Sequence, residues 1–126
     1  MTMEVRDDML VVSVTGDRPA SDVDARDELV ARWYRVSEVC KLHRLTRVLF
    51  ASGVQTPGSS AVTHNIFSDF DRFGFDRSTR IAIVRFNARA RRVVELGVHV
   101  ARERGWRMQI FADIATAQLW LAGEAD

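Results

Sequence analysis

Four arginines, Arg85, Arg89, Arg91 and Arg92, crowd the point where an apolar run gives way to a helical pattern. Guanidinium groups at such a junction can dock a carboxylate or phosphate, because backbone N–H groups and the positive end of the helix dipole converge there. An anion or acidic-partner site at Arg85, Arg89 and Arg92 is the chemistry they point to, against the plainer reading of a solvated basic face. Arg102, Arg104 and Arg107 mark the opposite end of the same helix, where cations also complement the dipole.

A second group is the small-residue stretch from Ser52 to Ser60, which follows a strand pattern and opens a helix. Ser59 and Ser60 could offer hydroxyls and N–H groups to an anion. Neither GxGxxG nor the GxxxxGK phosphate loop is present, so turn and cap chemistry accounts for the same residues. His64 follows Ser59 and Ser60 closely enough for a nucleophile–base pair, which would make a hydrolase; no GxSxG elbow supports it, and a histidine on a helix surface is the simpler account. His43, His64 and His99 are widely spaced, with no HExxH and no Cys/His pair at zinc spacing, so no metal site is expected. Asp69, Asp71 and Asp76 lie among Phe67, Phe70, Phe73 and Phe75; a catalytic role is conceivable, but phenylalanines at helical and turn spacing read as packing anchors. Asp22, Asp24 and Asp27 suit the positive end of a helix, and Trp33, Trp106 and Trp120 suit burial.

These residues must be positioned by a small set of elements. Leu10, Val12 and Val14 alternate with Val11, Ser13 and Thr15, a period-two strand pattern; Met3 to Arg6 is a shorter strand, joined to it by a turn at Asp7-Asp8 into an antiparallel pair. After Gly16 and Pro19, Ser21 can cap a helix with Asp24 three residues on, and Leu29, Trp33, Val36 and Cys40 mark its buried face. Arg47 to Ala51 reads as a buried strand, and Ser60 to Phe73 as a second helix. Ile81 to Val84 is continuously apolar, as a strand covered on both faces requires, and is expected at the middle of the sheet. Ala90, Val93, Val94, Gly97, Val98 and Ala101 form a helical stripe in which Gly97 predicts close approach of helix to sheet. Gly105 supplies a left-handed terminus, Met108 and Ile110 face one way from a last strand, and Asp113 caps a helix ending near Leu121.

The order ββαβαβαβα implies an α/β fold: a single mixed sheet of about five strands, an antiparallel N-terminal pair followed by parallel strands with right-handed helical crossovers. Ligands in such sheets sit beyond the strands' C-terminal ends, which singles out the loops 51–60, 85–90 and 112–115. The 126 residues, 47% hydrophobic and 28% charged, suit one folded domain, 1–126. A net charge of +1 argues against nucleic acid as a partner. One cysteine excludes an internal disulfide framework, and with no signal-peptide pattern or long apolar run the expectation is a cytoplasmic protein without membrane insertion.

Arg80 to Arg85 followed by Val93 to Leu121 resembles the C-terminal half of SpoIIAA-like proteins, a group with the STAS-type fold. The likeness is sharpest at Gly105-Trp106-Arg107-Met108-Gln109-Ile110-Phe111, with Asp113, Ala117 and Trp120-Leu121 after it. It covers about the last third of the chain, at packing positions; the rest matches by element order. In the signalling branch of that group a serine in an Asp-Ser-Ser-Gly-like loop is phosphorylated. Pro57-Gly58-Ser59-Ser60-Ala61 occupies the comparable place, making Ser59 and Ser60 the candidates, without the preceding aspartate or following glycine. Another branch resembles lipid-binding CRAL-TRIO domains, implying an apolar cavity.

Three functions follow as expectations. The first is a non-enzymatic regulatory module that binds a protein partner through Ser59, Ser60, Arg85, Arg89 and Arg92. The second is a carrier or sensor of a small acidic amphiphile (a lipid or fatty acid), with Phe67 to Phe75 as one wall and Arg85 or Arg89 holding the acid. The third, more remote, is the serine hydrolase. No cofactor is implied, and open sheet edges make a homodimer conceivable.

Overall fold

A computed structural model describes residues 1–16, 21–54 and 59–123. Pro19, and Pro57 and Gly58 of the serine loop, lie outside the described residues. The N-terminal alternation forms a hairpin: β1 (Thr2–Arg6) pairs antiparallel with β2 (Met9–Val14). Asp7 and Asp8 between them take φ of 50° and 63°. Positive φ at both central residues is the mark of a type I′ turn, and aspartate tolerates that region better than most side chains.

From β2 the chain crosses through α1 (Asp22–His43) to β3 (Arg47–Ser52). It then runs through α2 (Ser60–Ser68) and a 3-10 turn (Phe70–Phe73) to β4 (Arg80–Arg85). α3 (Ala88–Glu103) leads to β5 (Arg107–Phe111), and α4 (Ile114–Ala122) follows. The strands lie in the order β1-β2-β3-β4-β5, with every pair after the first parallel. This is the expected α/β fold with a five-stranded mixed sheet and intervening helices.

The expected helix 60–73 is two pieces. α2 stops at Ser68, and the chain tightens into the 3-10 turn before Gly74 ends it at φ 74°. Side chains three apart eclipse in that geometry, so Phe70 and Phe73 enter the core together.

Because strand order follows chain order, α1, α2 and α3 all cover one face of the sheet. Leu10, Val12, Phe50, Ile81, Ile83 and Met108 point into that three-helix layer, against Trp33, Val36, Ile66, Phe70 and Val98. The other face carries α4 alone, whose Ala117 and Leu121 pack on Leu49, Ala51, Ala82, Val84 and Phe111. Ile81–Val84 is therefore an interior rung screened on both faces, as expected; the middle position belongs to β3, since only β5 lies beyond β4.

The caps follow the sequence. Ser21 Oγ accepts the Asp24 N–H at 3.1 Å at the start of α1, and Asp113 accepts the Thr116 N–H at 2.8 Å at the start of α4. That second bond holds the Asp113 carboxyl below its ordinary pKa. Gly97 is a correction. Its close approach is to α2, not to the sheet: a Cβ there would lie 2.3 Å from Phe67 Cδ2 and 2.8 Å from Thr63 Cγ2. The missing side chain draws α2 onto α3 and leaves α2 only sparsely in contact with α1.

Candidate functional site

Where α1 and α2 part, a crevice of about 110 Å³ opens beyond the C-terminal ends of β2, β3 and β4. Val14, Ser52 and Arg85 close those three strands and line it. The floor is apolar, with Trp33, Phe50, Phe67 and Ile83 below and Leu29, Val62 and Val94 at the sides. Trp33 stacks on Phe50, with ring centroids 4.7 Å apart, which fixes the floor as a flat aromatic surface.

Among the described residues, the ionisable groups on its wall are Glu28, Arg32 and Arg85. Glu28 and Arg32 stand one turn apart on α1, and the Arg32 guanidinium donates to the Glu28 carboxylate. Arg85, half-buried, donates one Nη–H to the Val54 carbonyl at 3.3 Å, while its Nε–H finds no acceptor. Burial lowers its pKa from the ordinary guanidinium value, and arginine stays charged in proteins at neutral pH all the same. The indole N–H of Trp33, a residue only 1% exposed, also lacks an acceptor. Two buried donors without partners thus belong to side chains of the same crevice.

The predicted site residues divide. Ser59 and Arg85 come together on the crevice wall. Ser60 is the exposed first residue of α2, and Arg89 and Arg92 are exposed on α3, outside the lining. Ser59 Oγ accepts the Val62 N–H at 3.3 Å, so its hydroxyl serves as the helix cap. The β4–α3 junction is capped by Asn87, whose side chain accepts from the N–H groups of Arg89 and Ala90 at 3.0 and 3.1 Å. His64 is exposed on α2, and among the described residues no hydrogen bond joins it to either serine. Arg91 donates to the Arg85 carbonyl at 3.1 Å, so it braces the strand end.

The proposed aromatic wall Phe67 to Phe75 shrinks to Phe67; Phe70, Phe73 and Phe75 ring Trp33 inside the core instead. Of the three expected loops, 112–115 contributes nothing to the lining, and α1 takes its place. Sequence reasoning missed Glu28 and Arg32. Their four-residue spacing beside Leu29 and Trp33 on the apolar stripe was the available signal. The acidic residues near the phenylalanines have other work: Asp71 accepts from Trp106 Nε1 and Arg77, and Asp76 accepts from the hydroxyl and N–H of Ser78.

A second hollow, about 280 Å³, lies at the other end of the sheet, beside Ser37, Cys40, Phe75 and Thr79. Its cations, Lys41 and Arg44, are exposed to solvent, where an anion gains little from them. Among the described residues no cluster of three His, Cys, Asp or Glu side chains could hold a metal ion, and no helix is long and apolar enough to cross a membrane. Compared with family models, with curated proteins and with solved structures, the chain matches none.

Proposed function

We propose that this domain binds a small molecule bearing one carboxylate on a compact apolar body, as a non-enzymatic sensor or carrier of the SpoIIAA-like type. The observation that carries the reading is that two side chains of one largely apolar crevice, Arg85 and Trp33, each hold a buried donor, Nε and Nε1, with no acceptor among the described residues. A buried donor left unmade costs about 1–3 kcal/mol, so native proteins hold few of them, and a ligand that accepts from one recovers that cost. A carboxylate is acceptor-only and suits a wall whose polar side chains offer donors, while the aromatic floor receives the rest of the ligand.

Size sets the ligand class. A dry cavity of about 150 Å³ takes a benzene ring, and this crevice measures about 110 Å³. The crevice is open to solvent, so benzoate or pentanoate can seat its apolar part on the floor, while a long acyl chain would leave most of its length outside. Isothermal titration with benzoate, pentanoate and hexadecanoate tests this. The two compact acids should bind and Arg85→Gln should weaken both at least tenfold, the size of a lost charge-assisted hydrogen bond of about 1.5–3 kcal/mol. Binding that ignores the Arg85→Gln change, or no binding of either compact acid, would overturn the proposal.

A second reading adds a protein partner. Phe86 follows Arg85 directly and is 50% exposed, and the exposed Arg89 is near it in sequence. This supports a contact surface at the rim of the crevice for an acidic protein partner, whose affinity should then fall in Phe86→Ala and Arg89→Ala variants that keep their fold.

A further inference from the structure

We infer that the Glu28–Arg32 ion pair is a selectivity device that confines the crevice to monoanions. The inference rests on the acid-binding reading above and concerns a different pair of residues from the one that carries it. Among the described residues of the wall, two ionisable groups are cations, Arg32 and Arg85, and one is an anion, Glu28. Arg32 is engaged by Glu28 across one turn of α1 and is 24% exposed at its side chain, so its charge is largely spent inside the protein.

Among the described residues that leaves one charge of the wall without an ion-pair partner, Arg85, and a ligand with one negative charge completes the balance. A dianion would bring a second charge beside Glu28. It must then either face that carboxylate or take Arg32 from it, and both cost free energy because an ion pair broken in a partly buried place leaves its partner without a counter-charge. Specificity of this kind needs a repulsive element as much as an attractive one, and Glu28 supplies it. The pair is also geometrically suited to the task. Glutamate N-terminal to a cation at four-residue spacing is the favourable orientation on a helix, so α1 itself holds the pair together.

The consequence is a charge-coded swap. Removing the Glu28 charge should free Arg32 for a second carboxylate, while removing the Arg32 charge should leave an unpaired Glu28 on the same wall as Arg85, where it opposes an anionic ligand. The experiment uses two acids with the same carbon skeleton, pentanoate and pentanedioate, titrated at fixed ionic strength into the wild-type chain and the variants Glu28→Gln, Arg32→Gln and Glu28→Gln with Arg32→Gln. Wild type should favour pentanoate about tenfold or more. Glu28→Gln should shift that ratio at least tenfold toward pentanedioate, Arg32→Gln should weaken pentanoate, and the double variant should return to monoanion preference.

An unchanged ratio in Glu28→Gln, with thermal unfolding like wild type, overturns the inference, and so does a wild-type chain that binds the two acids alike. Should Glu28→Gln fail to fold, Arg32→Gln and the double variant decide: pentanoate binding unaffected by Arg32→Gln is the overturning result. If the wild-type chain binds neither acid, the acid-binding reading itself falls and takes the selectivity device with it. Pentanoate binding without selectivity sinks the device alone.

Discussion

Two arginines at opposite ends of β4 carry different work, and their surroundings explain why. Arg80 is buried on the α4 face, where it donates to the Gly123 carbonyl and lies 4.6 Å from the Trp120 ring centroid, so it fastens α4 to the sheet. Arg85 points to the three-helix face, where it lines the crevice and donates to the Val54 carbonyl. The same contrast separates reactive from inert groups. Cys40 is 4% exposed, and burial pushes its thiol up to about 11 from the 9.0 of a free thiol. The folded state therefore favours the protonated form. The stability this contributes is complete below pH 9, and it is lost as the pH rises through the interval up to about 11. Two outcomes follow for the native protein. A thiol-specific disulfide reagent at pH 8 should react far more slowly with Cys40 than after denaturation, because the thiolate is the nucleophile and the fold withholds it. The denaturation midpoint should also fall between pH 9 and 11 in the wild type by more than in Cys40→Ala. Rapid labelling of the folded chain at pH 8 would refute the assignment.

At the scale of elements, Gly97 decides how the helical layer is divided. Its bare Cα lets Phe67 and Thr63 of α2 sit against α3, and the gap that α2 vacates toward α1 is the crevice. Gly97→Ala should therefore be destabilising even though alanine is the better helix former. The gain of roughly 1 kcal/mol in propensity is outweighed by overpacking that costs about 1–3 kcal/mol, and a contact at 2.3 Å lies at the severe end. Urea unfolding should show a midpoint below wild type, and a raised midpoint would mean that Phe67 moves aside at no cost. Gly97 also marks how far the sequence could be read. Its place on a stripe with Ala90 and Ala101 announced a close approach, since period and residue size are local properties. The partner was not legible, because one helix face meets both the sheet and a neighbouring helix and the pattern does not say which. The strands, the element order and the caps Ser21 and Asp113 were readable because they too are local, whereas the Asn87 cap of α3 went unnamed. The site was readable only in part: Arg85 and Ser59 stand at strand and helix ends that the topology fixes, whereas Glu28 and Arg32 enter the site through a tilt between α1 and α2 that no local pattern encodes.

For the molecule as a whole, the controlling fact is the unequal cover of the sheet's two faces. Three helices shield one side and α4 the other, so β3 and β4 place side chains in both apolar layers, Val48, Phe50, Ile81 and Ile83 in one and Leu49, Ala51, Ala82 and Val84 in the other. β1 is an edge strand with Thr2, Glu4, Val5 and Arg6 exposed, and it pairs with β2 alone. Opening β3 or β4 means exposing both layers at once, which amounts to unfolding the domain. Opening β1 exposes little apolar surface and can happen on its own. Backbone amides exchange through the least costly opening available to them, so exchange rates should rank the strands by this cover. In native-state hydrogen exchange followed by mass spectrometry, the central amides of β3 and β4 should be the slowest in the chain and should track global stability as denaturant is added. Amides of β1 should exchange at least about tenfold faster, with little dependence on denaturant. Adding pentanoate should slow exchange in the first half of α1 and the first turn of α2, the two segments that flank the crevice, and leave β1 unchanged. Protection of β1 equal to that of β4 would mean that the hairpin's outer edge is covered in solution, and the single-layer account of stability would have to give way to one in which a second surface packs there.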